Sequence, residues 1–203
     1  MRPAPPSGHL DRKLQAIHGM IAGVDEVGRG ALAGPVTVAA VVLDPRRPVK
    51  GLDDSKRLSP SRRRQLADAI RERAATWVIA HRDAATIDRI NILEATREAM
   101  VEAVQRLSPA PSLVVSDAIA LASLGIPNRP EVRADARYLC VAAASILAKV
   151  TRDEIMVAFS EEFPAYGWHA NKGYPTPLHL AALWRVGPSR LHRRSFSPVR
   201  VLA

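Results

Sequence analysis

The sequence predicts an α/β layer built on a mixed sheet, and three observations carry that reading. Short apolar runs of strand length, Ile21–Val24, Val36–Leu43, Thr76–Ala80 and Leu113–Ser116, precede and interleave with segments of helical period. No internal repeat and no linker long enough to divide the chain interrupts them. Carboxylates stand at the ends of the predicted strands, where sites gather in such sheets.

The first strand, Ile21 to Val24, delivers Asp25 and Glu26 to its end, followed by Gly28-Arg29-Gly30 and then the strand Val36 to Leu43. Glycines at that spacing let a ligand approach the backbone closely. The arginine between them offers a planar, permanently charged fork suited to phosphate. Taken alone, the stretch reads equally well as a solvated Asp-Glu pair before a glycine-rich hairpin.

The residues ahead of this strand are proline-rich and then mixed, and 1–18 is expected to be a flexible segment, with the remainder, 19–203, one domain. After the second strand, Asp44 to Pro48 makes a turn. Asp53 to Leu58 is too polar for a strand and too short for a helix. Ser59-Pro60 predicts an N-cap with proline at the first helical position, opening a helix to about Ala75 with Leu66, Ala69, Ile70 and Arg73 on one side.

Thr76–Ala80 is the next strand. Asp83 then caps one long helix, in which Ile90, Leu93, Arg97, Met100, Val101, Val104 and Leu107 keep helical spacing until Pro109 and Pro111 end it. Leu113–Ser116 terminates in Asp117. Pro127 to Pro130 interrupts the chain, and Glu131 to Ala134 leads to Asp135. An alanine-rich helix from Tyr138 to about Phe159 follows, with a further helix from Thr176-Pro177 closed by Gly187-Pro188. The tail from Leu191 to Pro198 has no firm assignment.

Composition bounds the function. The 203 residues are 47% hydrophobic, enough for one sizeable core. A net charge of +9 favours a polyanionic partner, although an arginine- and alanine-rich composition weakens that inference. A single cysteine, Cys140, excludes a disulfide framework and a cysteine-based zinc cluster, and its apolar neighbours predict a buried thiol. No stretch reaches the ~20 apolar residues of a membrane span, and the N-terminus lacks the apolar core of a signal peptide. A soluble, cytoplasmic protein is expected.

Four carboxylates from separate segments, Asp25, Glu26, Asp117 and Asp135, are the candidate catalytic group. Hard divalent cations, magnesium or manganese, call for such oxygen donors, and two of them could supply a nucleophilic water and neutralise a leaving oxygen in phosphodiester cleavage. Each residue has a plainer reading: a solvated strand end for Asp25 and Glu26, a turn cap for Asp117, and the N-cap of the Tyr138 helix for Asp135. The loop lacks the Lys-Ser/Thr pair of a phosphate-binding P-loop. A metal-free nucleic-acid-binding protein would have no use for four acidic strand ends facing a polyanion.

Several ordered segments carry a resemblance: Gly23 to Gly30 with Leu32 to Pro35, Leu52 to Ser59, Ala134-Asp135, Ala142 to Asp153, Tyr166-Gly167, Lys172 to Thr176 with His179, and His192 to Phe196. Over Ile21 to Pro198 the chain resembles ribonuclease HII, the type 2 ribonuclease H family. The resemblance implies an α/β, ribonuclease H-like fold: a mixed central sheet flanked by helices, with a helical C-terminal part. It further implies cleavage of the RNA strand of RNA–DNA hybrids and cleavage at single ribonucleotides in duplex DNA.

By motif position, Asp25, Glu26, Asp117 and Asp135 match the family's four acidic ligands for Mn2+ or Mg2+. Gly28, Arg29 and Gly30 match the loop that reads the 2′-hydroxyl, and Tyr174 the tyrosine that packs on the following deoxyribose. Lys56 is the expected phosphate contact, while Lys149 and Arg152 could face either substrate or carboxylates such as Asp153. His169 and His179 are expected to be structural. Ala118 stands where the family usually has glycine, and Arg133 where lysine is common. No sliding-clamp peptide is evident, and a monomer is the default.

Overall fold

The computed structural model describes residues 5–202. Among them, five strands form one sheet in the order β3-β2-β1-β4-β5: β1 (Ile21–Val27), β2 (Val36–Val42), β3 (Thr76–Arg82), β4 (Leu113–Asp117) and β5 (Asn128–Glu131). β1 pairs antiparallel with β2, and β2 with β3, whereas β4 runs parallel to β1 and β5 parallel to β4. The mixed sheet that the sequence predicts is therefore present. Every residue of β2 is buried, as befits a strand covered on both faces.

The helices are α1 (His9–His18), α2 (Pro60–Arg73), α3 (Ala84–Ile90), α4 (Ile92–Gln105), α5 (Leu139–Glu162), α6 (Trp168–Asn171) and α7 (Pro177–Val186). The two-residue side-chain period of a strand divides the core between the two faces of the sheet. Ala22, Val24, Val38 and Ala40 pack with Ala99, Met100 and Ala103 of α4. Ala39 and Val41 pack on the other face with Ala143, Ile146 and Leu147 of α5 and with Leu66 and Ile70 of α2.

Small residues let α5 lie close to the sheet. A Cβ on Gly23 of β1 would stand 2.2 Å from the Cys140 carbonyl carbon and 2.3 Å from the Val141 nitrogen. Only glycine allows that approach.

Four expectations are corrected. Residues 9–18, read as flexible, form α1, and the buried Asp11 ties that helix to the body: its carboxylate accepts from the N–H groups of Leu139 (2.9 Å) and Cys140 (3.0 Å). The single long helix after Asp83 is broken at Asn91, which takes φ 67° and caps α4 by accepting from Leu93 N–H (2.9 Å) and Glu94 N–H (3.1 Å). Asparagine tolerates that left-handed geometry better than most residues. Pro127 to Pro130, read as an interruption, runs into the edge strand β5 (Asn128–Glu131), where proline is tolerated. On α2 it is Leu66, Ala67 and Ile70 that are buried, and Arg73 is exposed.

Ser59 caps α2 as its sequence predicts, accepting from Arg62 N–H. Asp53 to Leu58 contains a 3-10 turn, Ser55–Arg57, with Asp54 accepting from Lys56 N–H at 2.9 Å.

Candidate active site

The parallel ladder between β1 and β4 pairs Val24 with Ser116 and ends there, so Asp25 and Asp117 stand side by side at the next position. Both follow odd-numbered neighbours that face α5, Gly23 on β1 and Val115 on β4. The strand period thus sends the two carboxylates to the same face.

A cleft of ≈ 250 Å³ opens at this point, lined by Asp25, Glu26, Val27, Ser55, Lys56, Arg63, Asp117, Ser145, Lys149 and Tyr174. Six segments of the chain meet in it. A wider groove of ≈ 720 Å³ between α2, α5 and α6 shares Arg63 and Lys149 with the cleft, and there Arg64 and Lys172 alternate with Asp153, Glu154 and Glu161.

Asp25 is buried, and burial is the largest cause that pushes its carboxyl well above the ordinary carboxylate range. The charges of Glu26 and Asp117 push the same way, against a hydrogen bond from Ser145. Ser145 is itself held by Ser55, with the two hydroxyl oxygens 3.0 Å apart. Burial likewise raises Glu26, opposed by Arg29, whose Nη1 lies 3.3 Å from Oε1. Among the described residues, Glu26 Oε2 is the buried side-chain oxygen or nitrogen that has no hydrogen-bond partner.

Asp135 sits in a 3-10 turn, Ala134–Ala136, rather than at the cap of α5, a position occupied by Tyr138. It does not line the cleft, but it belongs to the same electrostatic group. Burial raises its carboxyl, Asp54 and Asp117 raise it further, and Lys56 lowers it. Asp117 connects the turn to the strand end, its Oδ1 accepting from Ala134 N–H at 3.1 Å. Ala118 takes φ 57°, and its strained turn is closed by Ile119 N–H on the Asp117 carbonyl at 2.7 Å.

These carboxylates therefore sense one another, although among the described residues no three His, Cys, Asp or Glu side chains are drawn together tightly enough to enclose an ion. Mutually repelling oxygen donors, one of them lacking any hydrogen bond, fit a hard divalent cation.

Lys56 and Tyr174 line the cleft, whereas Gly28, Arg29 and Gly30 lie just beyond its lining, following Val27. Leu32 N–H donates to Gly173 O at 2.8 Å, and Arg193 N–H to Leu32 O at 2.8 Å, so three distant stretches are laced by backbone bonds. Arg152, expected to meet either substrate or a carboxylate, meets neither. It is buried and donates from Nε to Pro35 O (2.8 Å), from Nη1 to Lys172 O (2.9 Å) and from Nη2 to Ala33 O (3.1 Å). Lys149 pairs with Asp153 at 2.8 Å.

Arg193 and Ser145 escaped the sequence reading. An arginine in an unassigned tail and a serine in an alanine-rich helix carry little local signal beyond their place in the matched segments. His179, read as structural, is buried against Trp168 and His192. The thiol of Cys140 is buried too, as its neighbours predicted.

The fold has counterparts of known structure. The chain superimposes on the ribonuclease H2 of Pyrococcus horikoshii OT3 with a TM-score of 0.77 at 28% identity, covering 90% of this chain and 96% of that one. It matches the ribonuclease HII of Archaeoglobus fulgidus, solved in a complex with PCNA, with a TM-score of 0.76 at 29% identity over 87% and 95% of the two chains. Sheet order, helix placement and these matches define an endonuclease of the ribonuclease H-like fold, a hydrolase of phosphodiester bonds. The Ribonuclease HII family model matches residues 22–199. The chain is also 52% identical over 208 residues to the ribonuclease HII of Solibacter usitatus strain Ellin6076, covering 98% of this chain and 90% of that protein. It belongs to the ribonuclease HII family, whose members hydrolyse the RNA of RNA–DNA hybrids.

Proposed function

We propose that the enzyme also cuts duplex DNA 5′ to a single embedded ribonucleotide, leaving 5′-phosphate and 3′-hydroxyl ends, and that Asp25, Glu26, Asp117 and Asp135 hold two divalent ions for this chemistry, Mg2+ or Mn2+. The observation that carries the reading is the meeting of Asp25, Glu26, Asp117 and Tyr174 in one cleft. The ions, when bound, supply a nucleophilic water and neutralise charge on the leaving 3′ oxygen.

The chain's own residues do the rest. Ser145 steadies Asp25 by donating to it, and Asp117 spans the strand end and the Asp135 turn. Gly28, Arg29 and Gly30 bring bare backbone to the ribose, where the 2′-hydroxyl distinguishes RNA from DNA. Tyr174 packs on the deoxyribose that follows. Lys56, beside the carboxylates, meets a substrate phosphate.

The substrates are RNA–DNA hybrid and ribonucleotide-containing duplex. Among the described residues no helix is long and apolar enough to cross a membrane, and action as a cytoplasmic monomer completes the proposal.

The test is cleavage of an end-labelled DNA duplex carrying one ribonucleotide, with Mg2+, with Mn2+ and with chelator. One metal-dependent cut 5′ to the ribonucleotide is expected. Cleavage of a long hybrid alone would overturn the junction reading while leaving the family assignment untouched.

A further inference from the structure

Two arginines, Arg152 and Arg193, are fully buried, and neither forms an ion pair with a carboxylate among the described residues. A buried charge is costly unless its donors are satisfied. Here they are satisfied by the main-chain carbonyls of Arg29, Ala33, Gly34, Pro35 and Lys172. Arg193 donates from Nη1 to Arg29 O at 2.9 Å, and from Nε and Nη2 to Gly34 O at 3.1 and 2.9 Å. Arg152 holds Ala33, Pro35 and Lys172, and its guanidinium carbon lies 5.3 Å from the Tyr174 ring centroid.

Peptide planarity turns one of these bonds into an orientation. In a trans peptide the C=O and the following N–H point in opposite directions. Arg193 draws the Arg29 carbonyl inward, so the N–H of Gly30 is aimed away from the protein. Gly30 is exposed, and a Cβ placed on it would meet nothing within 4 Å, so the space on that side is open. Gly28 stands in the opposite condition: a Cβ there would lie 2.2 Å from Arg152 Nε. The loop is seated on one guanidinium and turned by the other.

We propose that Arg152 and Arg193 are positioning residues that set the preference for a ribonucleotide junction. Arg193 presents the Gly30 N–H to the ribose, and Arg152 fixes the spacing between that donor and the Tyr174 ring. Neither side chain touches the reacting atoms. The inference rests on the assignment of the glycine loop and Tyr174 given under Proposed function.

Arg193→Lys and Arg152→Lys keep the charge and lose the fork that spans several carbonyls. kcat and KM are measured for wild type and both variants on a duplex with one ribonucleotide and on a continuous hybrid, with melting temperatures alongside. The expected result is that kcat/KM on the single-ribonucleotide duplex falls about tenfold further than on the hybrid. Equal losses on both substrates, tracking the melting temperature, would mean that the arginines serve the fold alone and would overturn the proposal.

A second measurement needs no variant. In chelator, the Gly30 backbone amide resonance of the wild type is followed while the single-ribonucleotide duplex, or the same duplex without the ribonucleotide, is added. A shift specific to the ribonucleotide supports the proposal, and an identical or absent response overturns it even if the lysine variants fail to fold. Wild type without junction cleavage overturns the functional reading and this one together. Junction cleavage with an unchanged substrate ratio in both variants overturns this one alone.

Discussion

Trp168 and His179 fix each other's chemistry: the indole N–H donates to His179 Nε2 across 3.0 Å in the buried core beneath Tyr174. Because the indole can only donate, Nε2 of His179 is an acceptor. Its proton therefore sits on Nδ1 and is given to the Tyr174 carbonyl at 2.9 Å. The His192 Nε2, 3.2 Å from the same His179 nitrogen, must then be a donor, and His192 Nδ1 accepts from Ser189 N–H at 3.0 Å. Both rings are neutral by construction.

That neutrality sets a pH dependence. Burial first, and then the charge of His179, pulls His192 down from 6.5 to about 4. Above 6.5 neither folded nor unfolded ring is protonated and the linkage contributes nothing. Below it the unfolded chain takes up a proton that the folded ring refuses, and stability declines until about pH 4. The stability difference between wild type and His192→Gln, from urea unfolding, is expected to move against wild type as pH falls through this window. Imidazole resonances of His192 that titrate near 6.5 would contradict the assignment.

Asp25→Asn is expected to abolish cleavage while raising the stability of the metal-free protein. Burial and the neighbouring carboxylates lift the folded Asp25 above its ordinary 3.8, so the ionised group costs stability once pH rises through its folded value. Thermal unfolding in chelator at pH 7 checks this, and adding Mn2+ should stabilise wild type more than the variant. Retained cleavage would remove Asp25 from the site.

Two glycine-to-alanine changes should part company. Gly23→Ala drives a methyl into the α5 backbone and should cost about 3 kcal/mol. Gly30→Ala meets open space and should leave the unfolding midpoint nearly unchanged while reducing cleavage at a ribonucleotide. Denaturant titration and the cleavage assay, run on both, separate packing from recognition.

Ala118 occupies a left-handed conformation at φ 57°. Ala118→Gly should relieve about 1 kcal/mol of that strain, read as a higher midpoint of chemical denaturation. A lower midpoint would show that the turn tolerates the methyl without strain.

Asp11→Ala should cost about 1 to 2 kcal/mol by uncapping α5. Removal of residues 1–18 should cost more, because Leu14 of the same helix is also buried.

Four of the five strands were legible because they are short apolar runs, and the carboxylates at their ends were legible for the same reason, whereas the polar edge strand β5 carries no such run. What escaped was non-local. Nothing near Asp11 tells that it caps a helix 128 residues away, and helical period alone runs straight through Asn91. Arg152 resembled a surface ion-pair partner because sequence offers carboxylates as neighbours and does not show carbonyls. Asp135 is a candidate from sequence, but its place in a turn joined to Asp117, rather than on the cleft wall, required the structure.

The bond from Arg193 to the Arg29 carbonyl joins residues 164 positions apart, and this separation orders events during synthesis. The carboxylates of β1 and the glycine loop are synthesised well before the side chain that turns the loop. A chain interrupted between them would hold the β1 carboxylates without the bond that turns the loop.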